Sequence, residues 1–310
     1  MNLFLHEDGR LRVGWRFAFS VLVVVLVDFV AGTLASTFAG THPRIEELVY
    51  TVLLLFLLLG CFVGMVKLFD QPEGNLNDYL GLPCKGWFRQ TFTGALLGFV
   101  LIFLAVIAIA IFFHYQIVRM LLTPRTAALP AVVTVSVLAG AMAEELSFRG
   151  YPFQRLVEGI GKTGAVIVLS IFFGAVHLMN PHVSDNRAVE IFAFSNTVLI
   201  GIVLAVAYLR TRALWFSWGL HFSWNFTMGV IFGMPVSGLN DFSVLVRARA
   251  RGPDWLLGGS YGLEGGLLGT LLALLGLIYV VVFLRPLSLA NLPSQLDEAP
   301  SSSIQSAGNG

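Results

Sequence analysis

The chain has 310 residues, 56% of them apolar and 12% charged, with a formal net charge of +1. A soluble domain carries about 25% charged residues, so this composition excludes a soluble globular surface and marks a multi-span membrane protein. The near-neutral balance gives no argument for nucleic acid or for an acidic partner.

Apolar runs long enough to cross about 30 Å of hydrocarbon are predicted at 13–38, 47–69, 91–114, 130–154, 162–180, 190–209, 213–234 and 264–285. The expected fold class is all-α: a polytopic membrane bundle of about eight transmembrane helices, with residues 1–286 as a single transmembrane domain. Arg10, Arg12 and Arg16 precede the first run without a small-residue cleavage site, so that run reads as a retained anchor. The stretch 70–90 has the Pro, Gly, Asn, Lys and Trp of an interfacial loop. Residues 287–310, rich in Ser, Asn, Gly and Pro, read as a disordered tail. Cys61 and Cys84 have neither metal-ligand nor disulfide-framework spacing.

With the N-terminus inside, Arg10, Arg12, Arg16, Lys67, Lys85, Arg89, Arg155, Lys162, Arg210, Arg212 and Arg285 fall on the cytoplasmic side. Arg44, Arg119, Arg125, Arg187, Arg247, Arg249 and Arg251 then fall outside, eleven against seven, which puts both termini in the cytoplasm.

Three of the runs contain polar groups that a bilayer should exclude. Glu144, Glu145 and Arg149 lie in the fourth run, His177 in the fifth, and His221 with Asn225 in the seventh. A charge at the centre of a membrane helix costs about 2.5–3.5 kcal/mol even on the lenient insertion scale. An interhelical hydrogen bond there returns about 0.6 kcal/mol, so packing alone does not explain the set. On a helix, Glu145 and Arg149 share a face at i, i+4 and can pair. Glu144 points about 100° away, a free carboxylate for a cavity and a candidate general base. His221 and Asn225 are one turn apart, as are Phe173 and His177. Two forms of the chemistry are open. With Zn2+, His177, His221 and Glu144 would make a His2Glu set with a position left for water. Without metal, Glu144 and His177 would activate water directly while His221 and Asn225 stabilise the oxyanion.

The motifs Glu144-Glu145-Leu146-Ser147-Phe148-Arg149, Phe173-Gly174-Ala175-Val176-His177 and His221-Phe222-Ser223-Trp224-Asn225, in that order on successive membrane helices, resemble the CPBP family of intramembrane proteases. This group includes the CAAX prenyl endopeptidases and bacteriocin-processing, Abi-like relatives. The resembling core spans about 130–230, and the stretch 258–266 also resembles bacterial members. The resemblance implies a peptidase, of metallo- or glutamate type, acting on membrane-embedded or lipidated peptide substrates in a bacterial plasma membrane. In it Glu144 would activate water, and Glu145 and Arg149 would support it. His177 would be the ligand or partner of that water, with His221 and Asn225 completing the site.

Other polar positions read more simply. Asp28, mid-way along the first run, either serves function or pairs with a polar group of another helix. Glu190 and Glu264 sit at run starts, where a carboxylate favours a helix N-terminus. His182 reads as a loop histidine with a substrate-gate role as the alternative. Arg247, Arg249 and Arg251 alternate, so an extended segment would place them on one solvated or headgroup-facing side. Ser147 is not placed to pair with either histidine as a nucleophile, and Gly265 and Gly269 have the spacing of close helix packing. Two other function classes compete. A proton-coupled transporter would also use Glu, Arg and His inside a bundle. A non-catalytic scaffold or immunity protein of the same fold would have no need for two histidines beside a free carboxylate.

Overall fold

The computed structural model describes residue 4 and residues 11–38, 42–70 and 74–284. The tail expected at 287–310 lies outside the described residues. In chain order the elements are α1 (Val13–Phe38), α2 (Pro43–Met65, extended by a π turn Val66–Asp70), α3 (Leu76–Tyr79), α4 (Trp87–Phe112), β1 (His114–Met120), α5 (Leu129–Arg149), α6 (Tyr151–His177), α7 (Arg187–Thr211), α8 (Leu214–Asn225, continued by a π turn Phe226–Ile231), β2 (Val246–Arg251), α9 (Asp254–Leu257) and α10 (Leu267–Val282). Each apolar run of the sequence falls on a helix, and the architecture is an all-α polytopic membrane bundle.

By length and composition, five helical stretches among the described residues can cross a membrane: 13–37, 43–70, 87–112, 129–177 and 187–211. The fourth is a helical hairpin. Gly161 has φ 77° and ψ 168° in its middle, a left-handed backbone that glycine adopts without a Cβ penalty. Twelve residues on either side of it, the Arg149 guanidinium lies 4.4 Å from the Phe173 ring centroid. The Phe148 ring likewise meets those of Phe172 and Phe173. The chain therefore runs through the bend at Gly150 to residue 160 and folds back along itself. The break between the fourth and fifth runs is at Gly161, while Gly150 only bends the descending arm.

Large apolar side chains such as Phe29, Phe56, Phe92, Phe103, Ile171 and Ile278 are exposed on the outside of the bundle, as a lipid-facing surface requires. Inside, α4 and α8 touch at backbone distance. A Cβ on Gly94 would stand 2.2 Å from the Phe216 carbonyl oxygen, and one on Gly98 2.7 Å from that of Leu220. On the facing helix, a Cβ on Gly219 would stand 2.2 Å from the Thr91 oxygen. Small residues four apart are the usual means of such an approach in membranes, and this one sets the position of α8.

At one end of the bundle β1 and β2 pair antiparallel, His114 opposite Arg251 and Met120 opposite Val246. The Tyr115 hydroxyl donates to the Phe232 carbonyl at 2.6 Å, tying the sheet to the end of α8. The third apolar run was expected to be helical to 114, but the helix stops at Phe112 and the chain becomes extended. At the other end Arg16 of α1, Asp70 of the π turn and Arg155 and Glu158 of α6 form a buried network. Arg155 contacts Asp70 at 2.6 Å and Glu158 at 2.8 Å, and Arg16 reaches Glu158 at 3.3 Å and also pairs with Asp70.

Candidate active site

The last two turns of α5 carry both glutamates, and their roughly 100° separation around the helix gives them different surroundings. Glu145 points into the bundle and is fully buried. Its Oε1 accepts from Arg149 Nη1 at 3.3 Å and from His221 Nδ1 at 2.9 Å. Arg149, also buried, donates from Nη2 to the Gly201 carbonyl of α7 at 3.3 Å and lies over the Phe173 ring. One carboxylate thus ties α5 to α8, and its arginine ties both to α6 and α7.

Glu144 borders a cavity of about 640 Å³ that is walled mostly by apolar side chains. Its side chain is 40% exposed, yet Oε2 is itself buried and meets no hydrogen-bond partner among the described residues. That oxygen lies 3.8 Å from His221 Nε2. Glu145 Oε2 is likewise buried without a partner, but Glu145 is not among the residues that line the cavity.

His177, Asn225 and Ser147 line the same cavity. His177 Nδ1 is 2.8 Å from the Phe173 carbonyl oxygen. A carbonyl only accepts, so Nδ1 carries the hydrogen and Nε2 keeps its lone pair in the neutral ring. Phe173 stands between the histidines, its centroid 4.4 Å from the His177 ring and 6.3 Å from that of His221. His177 at the far end of α6 and His221 in the second half of α8 therefore reach one site, because the turn at Gly161 and the bend at Gly150 set Phe173 level with Arg149. Ser147 donates to the Ala143 carbonyl of its own helix at 2.8 Å, and among the described residues it makes no hydrogen bond to a histidine.

Of the expected set, Glu144, His177, His221 and Asn225 line the cavity, while Glu145 and Arg149 lie behind its wall, bonded to each other and, through Glu145, to His221. His221 is the histidine that approaches Glu144 within 4 Å. The residues do not fit a metal centre as arranged. Among the described residues no group of three or more His, Cys, Asp or Glu side chains is placed to hold a metal ion. In each histidine the Nδ1 bond, to Glu145 for His221 and to the Phe173 carbonyl for His177, leaves Nε2 as the nitrogen that can act in the cavity.

Sequence reasoning passed over Glu47 and Tyr50, which line the cavity beside Asp28. The Tyr50 hydroxyl donates to Asp28 Oδ1 at 2.6 Å, so Asp28 pairs with a polar group of another helix. The spacing of Glu47, Tyr50 and Thr51 at i, i+3 and i+4 was the available signal, because all three share one face of α2. Glu264 is structural for a different reason from that expected. It is buried and accepts from Trp224 Nε1 at 2.9 Å and from the Ser237 backbone N–H and hydroxyl at 2.8 and 2.5 Å. These bonds pin the loop before α10 to α8, next to Asn225. Glu190 pairs with Arg187 at 2.7 Å, and His182 pairs with Asp185 at 2.8 Å in an exposed loop.

Residues 126–227 match the family model of the type II CAAX prenyl endopeptidases, Rce1-like. All six site residues and the hairpin that aligns them lie inside that match. No curated protein and no solved structure matches the chain. The family points to a peptidase whose substrates are membrane-associated peptides. The match covers about a third of the chain, and over that stretch it supports a CPBP family intramembrane protease.

Proposed function

We propose that the protein is an intramembrane endopeptidase in which Glu144 activates water against a peptide bond held in the cavity between α5, α6 and α8. The observation that carries this reading is Glu144 Oε2, buried at the cavity wall, without a hydrogen-bond partner among the described residues, 3.8 Å from His221. A lone carboxylate oxygen in an apolar site is costly and is what a general base requires. Water would donate one hydrogen to Glu144 and the other to His177 Nε2, which the Phe173 bond leaves as an acceptor. Its oxygen attacks the carbonyl carbon as Glu144 takes a proton, and Glu144 then passes that proton to the departing amine.

The oxyanion is met by His221 and Asn225, one turn apart on α8. His221 sits between two carboxylates, Glu145 at 2.9 Å and Glu144 at 3.8 Å. With Arg149 alone the cluster would retain a negative charge in a low-dielectric interior, and a doubly protonated His221 cancels it. Its Nε2–H then joins the Asn225 amide as a donor to the oxyanion. No step passes through a metal. The apolar walls suit a lipidated or membrane-embedded peptide, and the charge bias of the loops supports both termini in the cytoplasm.

Glu144→Gln is expected to lower peptide cleavage by about 10²–10⁴-fold on a lipidated peptide, with folding in detergent unchanged. Activity should survive exhaustive chelation. Full activity of E144Q would end the assignment, and activity lost on chelation and restored by zinc would replace direct carboxylate activation with a metal mechanism.

A further inference from the structure

The two-stranded sheet has an outer face that the peptidase reading does not use. Cross-strand partners share a face, so His114 with Arg251, Gln116 with Arg249 and Arg119 with Arg247 lie together. Arg247, Arg249 and Arg251 are exposed while Ala248 between them is buried. Four guanidinium groups therefore stand on one small surface. None of them pairs with a carboxylate among the described residues, whereas Arg187 pairs with Glu190 and Arg44 donates to the carbonyls of Asp241 and Ser243. Like charges this close repel unless an anion lies between them.

The same sheet carries exposed apolar side chains: Ile117, Val118, Met120 and Leu122 on and after β1, with Ile111 and Phe112 at the end of α4 leading into it. Guanidinium groups on one face of the sheet, with exposed apolar side chains on its other face and at the end of the membrane helix leading into it, match the polar-over-apolar layering of a lipid headgroup region. We propose that this face of the β1–β2 sheet is a docking surface for anionic phospholipid headgroups. The arginines hold the phosphodiesters through paired N–H donors, and the apolar side chains enter the acyl layer. Arginine suits this task because its planar fork engages two phosphate oxygens at once. The face independently bears on how α8 is held, because β1 is bonded to the carbonyl of Phe232 at the end of that helix.

The test uses the full chain purified in neutral detergent. Native mass spectrometry counts bound phosphatidylglycerol against phosphatidylcholine of the same acyl length. The wild-type protein should retain the anionic lipid in preference to the zwitterionic one. Each arginine near a charged surface changes affinity by about fivefold, so R247Q/R249Q/R251Q should lose at least about tenfold of that preference. Arg119→Gln, on the neighbouring strand, should lose about fivefold. R247K/R249K/R251K keeps the charge without the fork and should fall between the wild type and the glutamine triple variant, which separates loss of binding from loss of folding. Equal retention of both lipids by the wild type, or an unchanged preference in both glutamine variants, would overturn the proposal. Displacement of the lipid by equimolar inorganic phosphate would assign the face to free phosphate, and binding of an oligoglutamate peptide without the lipid would assign it to an acidic protein. Both of those results overturn the lipid assignment.

Discussion

Glu145 makes most of the site's bonds and Glu144 makes none, although the two are neighbours in the chain. Glu145 Oε1 receives both Arg149 and His221, so its contribution is to hold the His221 ring with Nδ1 turned inward and Nε2 turned toward the cavity. Outer partners of this kind typically change activity by about 10–100-fold when removed. Glu145→Gln should therefore lower kcat more than it raises KM, because substrate meets the cavity and not Glu145. It should also destabilise the fold, since Arg149 would be left buried without its counter-charge. Arg149→Lys keeps the charge but cannot both reach Gly201 and lie over Phe173 in the same way. It should fall between wild type and E145Q when cleavage rate and thermal unfolding in detergent are measured together. Equal loss in E144Q and E145Q with unchanged stability in both would show that the two carboxylates act as one unit rather than in separate roles.

At the scale of the elements, the apolar runs were legible because the 56% apolar content falls in blocks long enough to span a bilayer. The motifs were legible because i, i+4 spacing survives in any helix. What could not be read was the contact geometry between helices. Glu145 meets His221 across 76 residues, and no local pattern encodes such a pairing. The strands were invisible for a related reason: a seven-residue segment following a long apolar helix carries no period of its own, and only the alternating arginines of β2 hinted at extension. The small-residue pair Gly94 and Gly98 was readable but common, and its meaning came only with the backbone of α8 lying against it. Gly98→Val should push α8 away, since its added carbons would overlap the Leu220 carbonyl oxygen and the Trp224 nitrogen. Overpacking costs about 1–3 kcal/mol, and here it would also displace His221 and Asn225. Cleavage should fall further than the loss of folded protein accounts for, as measured by activity per folded molecule. Gly98→Ala, with one carbon at the same place, should fall between the two.

For the whole molecule, the network of Arg16, Asp70, Arg155 and Glu158 has a different standing from the site, because every charge in it is balanced. Two arginines face two carboxylates within hydrogen-bond reach, and the four come from α1, the end of α2 and α6. Sequence reasoning assigned Arg16 and Arg155 to orientation and placed Asp70 at the start of a loop, because the partners stand 54 and 85 residues apart. Removing one partner of a buried pair costs about 3–5 kcal/mol through the charge left behind. Asp70→Asn should accordingly lower the unfolding midpoint in detergent, and Arg155→Met should do so too. The double variant D70N/R155M removes a cation together with an anion, so its loss should be smaller than the sum of the single losses by about 0.5–3 kcal/mol. Strict additivity would show that the four groups do not act as a network. Cleavage per folded molecule should stay at the wild-type level in all three variants, because the cluster binds neither the Glu145 carboxylate nor the cavity wall. Loss of activity without loss of stability would mean that these buried charges reach the site through the arm of the hairpin they share with Arg149.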